Sequence, residues 1–167
     1  MDRRNLIALA AACLFALFCH QVLIPKIRER RAQAVPPSCS ITALTLDSTL
    51  TTLKPCGTDT TMVLVFNTEC GICRTELELL TDTAYAHYSI VLLSRQRIAT
   101  LHSVVAEFGL FDRPNIELLK ISDTHTQEPY RSWPAPSVAI FDTHGRLVLK
   151  RKGFTDPKVL MKKAGKR

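Results

Sequence analysis

Cys70 and Cys73, set in Cys70-Gly71-Ile72-Cys73, are the side chains of this 167-residue sequence best suited to covalent chemistry. They follow the apolar run Met62-Val63-Leu64-Val65-Phe66 and open the stretch Arg74-Thr75-Glu76-Leu77-Glu78-Leu79-Leu80. A strand that hands over to a helix at this point puts both sulfurs on one face of the first turn, where they can meet. The partial positive charge of a helix N-terminus favours a thiolate on the first of them. Type, spacing and placement together point to thiol–disulfide exchange. Half a zinc site has the same spacing, but the chain holds no second C-x-x-C to complete it.

Other groups give weaker chemical signals. His87, His102, His125 and His144 are scattered without a ligand spacing and read as surface or turn residues, so no metal and no other cofactor is expected. The net charge is +7, with Lys26, Arg28, Arg30 and Arg31 near one end and Lys150, Arg151, Lys152, Lys158, Lys162, Lys163, Lys166 and Arg167 near the other. No aromatic-interleaved basic motif or zinc-finger spacing accompanies these charges, so nucleic acid is not the expected partner. Attraction to anionic lipid headgroups, or simple solubility, accounts for them.

The elements that would position the cysteines follow from periodicity. Residues 41–53 are rich in Thr and Leu with partial alternation, consistent with one or two strands, and 54–57 read as a turn. The run 62–66 is a buried-type strand that delivers the motif. A helix is predicted over 70–86, with Arg74 and Glu78 as an i,i+4 pair. A strand over 90–93 follows, then a helix over 97–108 that Gly109 stops, a strand over 116–121 and a short helix within 122–131. Trp133-Pro134-Ala135-Pro136 breaks regular structure directly before the apolar strand 137–141. Asp142-Thr143-His144-Gly145 has turn chemistry, so 137–141 and 146–150 should pair as a hairpin. Asp156-Pro157 then starts a last helix reaching about 164.

Ahead of this domain, residues 6–24 carry no formal charge. At about 1.5 Å per residue, a helix of that length spans about 28 Å, close to the hydrocarbon thickness of a bilayer. A signal peptide would end its apolar run on a small-x-small cleavage site, and His20-Gln21-Val22-Leu23-Ile24 offers none. The expected organisation is therefore a membrane anchor over 1–25, a basic, proline-containing linker over 26–38 and a folded domain over 39–167. Counting Lys and Arg on the two flanks leaves the domain in the cytoplasm. The cysteines argue for an oxidising, extracytoplasmic space, and that side of the inner membrane is preferred. Cys39 and Cys56 admit two readings, a structural disulfide or two unrelated apolar fillers.

A strand, a C-x-x-C opening a helix, a further strand and helix, then a proline before a hairpin and a final helix: this order resembles the thioredoxin fold. The closer likeness is to its membrane-tethered TlpA/ResA-like branch. It rests on the anchor and linker, on Val63-Leu64-Val65-Phe66-Asn67 before Cys70, and on Ala135-Pro136-Ser137-Val138-Ala139-Ile140-Phe141-Asp142 with Gly145 closing the turn. The resemblance implies an α/β thioredoxin-like three-layer sandwich with a mixed sheet. Its function would be that of a thiol-disulfide oxidoreductase reducing extracytoplasmic protein disulfides and recharged by a membrane electron donor. Cys70 would attack, Cys73 resolve, and Pro136 be the family's cis-proline, letting the Ala135 backbone approach the sulfurs and pair with an extended substrate segment.

Glu76 matches an acidic position of that branch and shares a helix face with Cys73. It reads either as the acceptor of the Cys73 proton or as a solvated surface glutamate. Trp133 reads as a wall of the substrate groove or as a packed core indole. Three departures stand out: Glu69 precedes the first cysteine where an aromatic is common, Ile72 replaces a frequent proline, and Leu64 stands where thioredoxin has a buried Asp. Glu69 and Glu76 would both oppose a thiolate, which favours a reductant over an oxidant. The alternative class is a non-catalytic module of the same fold that binds a partner protein or a soft metal such as Cu(I) through the two thiolates.

Overall fold

In a computed structural model of the chain, the apolar runs between residues 41 and 152 form one seven-stranded sheet. The strands are β1 (Ile41–Leu44), β2 (Leu50–Leu53), β3 (Thr61–Phe66), β4 (Ser89–Ser94), β5 (Ile116–Lys120), β6 (Ser137–Phe141) and β7 (Leu147–Lys152). The helices are α1 (Gly71–Leu79), α2 (Ile98–Glu107) and α3 (Glu128–Arg131), with a 3-10 turn at Leu110–Asp112. The structure describes residues 15, 17, 20, 21, 24, 39–54, 59–82, 85–153, 156, 159 and 162. The chain divides into two units, Met1–Val35 and Pro36–Arg167. The linker over 26–38 and most of the helices expected over 1–25 and 156–164 lie outside the described residues. Among those described, no helix is long and apolar enough to cross a membrane.

Strand order is β2-β1-β5-β4-β3-β6-β7. β3 runs parallel to β4 and antiparallel to β6, so it is hydrogen-bonded on both sides and all six of its residues are buried. That enclosure is why its sequence is continuously apolar rather than alternating. Successive side chains still divide between the two faces. Met62, Leu64 and Phe66 join Ile90, Leu92, Val138 and Ile140 under α1 and α2, packed with Cys73, Leu77, Leu80, Leu101 and Val105. Val63 and Val65 face the other way, with Val91, Leu93, Ala139 and Phe141, against Tyr130 and Trp133. The crossovers β3–α1–β4 and β4–α2–β5 therefore cover one face, and the return through α3 to β6 covers the other.

Two sequence expectations change. The first helix ends at Leu79 rather than Ala86, because the Thr81 hydroxyl and N–H both donate to the Glu78 carbonyl (2.7 and 3.1 Å) and close the last turn. The chain beyond it has to turn back to bury Tyr85, which is 2% exposed. Arg74 does not pair with Glu78. Its guanidinium reaches Glu107 on α2 and lies over the Phe108 ring, 5.3 Å from the centroid. It thus joins the two helices on the face that carries the cysteines.

The β6–β7 hairpin forms with a register irregularity at Ile140/Phe141. Its turn is built on Asp142, whose Oδ1 accepts the N–H groups of His144 and Arg146, both at 2.9 Å, while Gly145 takes φ +73°. Such a conformation suits glycine because it has no Cβ to clash.

Candidate active site

The C-terminal end of β3 opens into residues 67–70, and the turn there is made by Asn67. Its Oδ1 accepts the Glu69 N–H at 2.9 Å and its carbonyl accepts the Cys70 N–H at 3.2 Å. Cys70 is then the N-cap residue of α1, in extended conformation (φ −91°, ψ 112°), and its carbonyl accepts the Arg74 N–H at 3.1 Å. The residue at the helix start is therefore itself the candidate nucleophile. Both cysteines of the motif are thiols.

Their environments differ sharply. Cys70 is partly exposed, between the exposed Glu69 and Gly71. Its thiol is held below the ordinary cysteine range, first by the Cys73 backbone N–H and next by the Cys73 thiol, with the Ile72 N–H adding to them; desolvation and the Glu76 carboxylate oppose the shift. No side chain closes this helix end with a hydrogen bond of regular capping geometry. The first-turn N–H groups act on the sulfur as nearby positive ends, in the manner expected of a helix N-terminus. Cys73 is fully buried, packed in the core with Leu64 and Leu77. Burial pushes its thiol up to about 12, Cys70 and Glu76 add to the rise, and the Asn67 backbone works against it.

Glu76 is 3% exposed, which removes the reading of a solvated surface glutamate. It lies with Cys73 and Leu77 on the buried face of α1 and is the one carboxylate residue among the buried described residues. Its negative charge raises the cost of a thiolate at both sulfurs. Glu69, by contrast, is exposed.

The antiparallel register of β3 with β6 pairs Val65 with Ser137. Pro136 therefore enters the sheet beside the end of β3, at the loop that carries Cys70. The Ala135–Pro136 peptide bond is cis. Cys70 and Ala135 both pack against the same apolar cluster under α1. Cys70, Cys73, Glu76, Ala135 and Pro136 are thus brought together at one end of the sheet. Trp133 is not. Its indole is 1% exposed, sits in the layer on the opposite sheet face, meets the Tyr130 ring edge-on at 5.5 Å and has the Lys150 Nζ 4.7 Å from its centroid. A side chain so enclosed belongs to the core and does not line an open groove.

Two residues with no sequence signature hold this end of the sheet together. Arg95 and Gln96 follow β4 directly. The Gln96 Oε1 accepts the Thr68 N–H at 2.8 Å, fixing the loop before Cys70. The Arg95 Nη2 donates to the carbonyls of Tyr130 (3.3 Å), Arg131 and Trp133 (3.1 Å), fixing the segment before Pro136. Asn67 is the third residue of this kind. Only its turn-forming side chain could have drawn notice in the sequence.

Among the described residues no cluster of three or more His, Cys, Asp or Glu side chains could hold a metal ion.

No protein-family model matches the sequence. No curated protein matches it either. Solved structures do match in shape. A secreted disulfide oxidoreductase of Mycobacterium tuberculosis, homologous to Escherichia coli DsbE, aligns with TM-score 0.60 at 16% identity over 77% of this chain and 97% of its own. DsbF of M. tuberculosis aligns with TM-score 0.63 at 15% identity, over 79% and 98%. A thiol:disulfide interchange protein of Chlorobium tepidum aligns with TM-score 0.60 at 14% identity, over 78% and 94%. At such identities the likeness concerns the fold. The chain has the α/β thioredoxin-like fold of the thioredoxin-family thiol-disulfide oxidoreductases, with the Cys70–Cys73 pair at a helix start.

Proposed function

We propose that the protein is a membrane-anchored thiol-disulfide oxidoreductase that reduces disulfides of extracytoplasmic proteins through a Cys70/Cys73 cycle. The observation that carries the reading is the opposite treatment of two thiols in one turn. Cys70 is partly open and lowered by the helix start, whereas Cys73 is buried and held at about 12. A lowered, accessible thiol suits an attacking group, and a protonated, buried one suits a resolving group that must wait its turn.

The Cys70 thiolate attacks one sulfur of a substrate disulfide. That S–S bond breaks, a Cys70–substrate disulfide forms, and the released substrate thiolate takes a proton. Cys73 then loses its proton and attacks the Cys70 sulfur, which expels the second substrate thiol and leaves a Cys70–Cys73 disulfide. Two electrons and two protons pass to the substrate. Glu76, buried on the face of Cys73, is the base placed to take the Cys73 proton as that thiol becomes the nucleophile. Restoring the dithiol needs a membrane electron donor, which by this chemistry is itself a dithiol.

The reducing direction is supported by the charge on the reduced pair. Cys73 stays protonated through the neutral range, so the reduced enzyme carries at most one thiolate, on Cys70, and Glu76 opposes part of the lowering there. A reduced pair that holds one thiolate rather than two, with a carboxylate beside it, is less stabilised and gives up its electrons more readily.

The oxidising location is supported by Cys39, which is disulfide-bonded, since such bonds persist mainly outside the cytoplasm. The anchor is supported by Phe15, Leu17 and Ile24 of the apolar run, apolar side chains that are 67%, 54% and 53% exposed.

The test is equilibration of the purified domain with glutathione buffers, together with turnover of a protein disulfide. The proposal predicts a potential at the thioredoxin end of the range, about −270 mV, and turnover lost in Cys70→Ser. A potential near about −120 mV makes the protein an oxidant. Tight retention of Cu(I) without disulfide turnover makes it a binding module.

A further inference from the structure

The segment that leads into β6 is tied down almost completely. The carbonyls of Tyr130, Arg131 and Trp133 accept from Arg95, the Pro134 carbonyl accepts from the Ser137 hydroxyl at 2.6 Å, and the Pro136 carbonyl accepts from the Gly153 N–H at 2.9 Å. Among the described residues Ala135 alone of residues 133–136 has no hydrogen bond on its backbone groups. Ala135 also packs on the apolar cluster that Cys70 touches. A backbone donor and acceptor left over beside a reactive sulfur is what an extended peptide needs in order to add itself as a short strand.

Three of those five carbonyl contacts come from one guanidinium, and Arg95 directly follows β4, 35 to 38 residues before the segment in sequence. All three are gathered by Nη2, whose two N–H groups are shared among them, on a guanidinium whose planar, pre-organised fork loses less freedom per hydrogen bond than a flexible lysine ammonium. Asp123 faces the guanidinium from the loop before α3 and favours its charge, against the burial that opposes it. Resting on the disulfide-exchange reading, we propose that Arg95 is a positioning residue for substrate: it holds residues 130–133 so that the Ala135 backbone is presented, ready-ordered, to an extended polypeptide whose disulfide meets Cys70. Arg95 touches no reacting atom. Its contribution is to binding of polypeptide substrates, and small disulfides that need no strand pairing are indifferent to it. Ordering the segment in advance lowers the cost of docking.

Three measurements on the full chain test this: steady-state reduction of a cystine-containing peptide, reduction of a small disulfide such as 2-hydroxyethyl disulfide, and the pH profile of Cys70 alkylation by iodoacetamide. Arg95→Met should raise KM for the peptide about tenfold, the loss expected when charge-assisted hydrogen bonds are removed, and should leave the other two readouts within about twofold. Arg95→Lys should fall between the two. Arg95→Gln, with a shorter, uncharged amide in place of the guanidinium, gives the same comparison if the methionine variant does not fold. Peptide KM within about twofold of the parent in Arg95→Met or Arg95→Gln overturns the proposal. Parallel loss of peptide and small-disulfide turnover with a moved alkylation profile also overturns it, because the whole site has then loosened. A parent protein that reduces neither disulfide removes the disulfide-exchange reading itself, and this inference with it.

Discussion

The β1–β2 hairpin and the β3–α1 junction each carry cysteine, and the same side chain does different work in the two places. Cys39 precedes β1 and is disulfide-bonded. The hairpin register pairs Ile41 with Leu53. Cys56 lies outside the described residues, and we propose it as the partner. A cysteine beside a two-stranded edge hairpin has no helix dipole, no buried carboxylate and no second thiol in its turn. It can only hold chain together. Cys70 and Cys73 have all three, and their thiols are driven apart in acidity. Position relative to the end of a strand and the start of a helix, rather than residue type, separates a staple from a redox pair.

The largest expected effect breaks this contrast from the redox side. Cys70→Ser should reduce turnover of a protein disulfide to the uncatalysed background while leaving thermal unfolding close to the parent, measured by steady-state assay and calorimetry. From the other side, Cys39→Ser should cost about 3 kcal/mol of stability, the entropy model's value for opening a loop of about 15 residues, read from denaturant unfolding. Turnover per folded molecule should persist. A hairpin cysteine whose loss silences the enzyme, or a motif cysteine whose loss mainly unfolds it, would erase the distinction.

Glu76→Gln sharpens the comparison within the motif. Removing its charge relieves a pressure that raises both thiols, so Cys73 should titrate below about 12 and Cys70 lower still. The alkylation profile of Cys70 should shift to lower pH, while resolution of a mixed disulfide by Cys73 slows for want of a proton acceptor. The potential of the parent pair should also fall by about 59 mV per pH unit below the Cys70 pKa, where two protons accompany two electrons, and by about 30 mV per unit above it up to about pH 12.

The smallest effect is expected at the β6–β7 turn. The Asp142 carboxyl is held below the usual carboxylate range, first by the Arg146 backbone N–H, with the Arg146 side chain and the His144 N–H also lowering it. Its folded pKa lies below its unfolded one. Its contribution is therefore present above the ordinary carboxylate pKa and is lost as pH falls through the lowered value. Asp142→Ala should weaken the parent slightly at neutral pH and flatten the acid limb of its stability curve.

Much of this arrangement is visible in the chain because the forces involved leave local marks. β3 is enclosed on both sides and reads as an unbroken apolar run, and Pro136 and the C-x-x-C stand at the ends of apolar runs where turns must be. The sequence is silent where the partner is distant or is backbone. Arg74 sits at i,i+4 spacing from Glu78, yet it pairs with Glu107 because α2 packs alongside α1. Arg95 and Gln96 look like ordinary polar residues after a strand; what they bind are main-chain groups 28 to 38 residues away, which have no side-chain signature. Glu76 shares the helical periodicity of Leu77 and Leu80, but only the packed structure shows it enclosed. Trp133 lies three residues from Pro136 in the chain and on the other face of the sheet, because the return through α3 crosses that face.

The central claim is that Cys70 attacks and Cys73 resolves, and trapping tests it most directly. A Cys73→Ala variant incubated with a disulfide-containing polypeptide should accumulate one mixed disulfide, joined through Cys70, stable on non-reducing electrophoresis and released by dithiothreitol. The account predicts that adduct in Cys73→Ala and its absence in Cys70→Ala. An adduct that forms equally through Cys73 when Cys70 is removed, or no adduct with either variant, would contradict it.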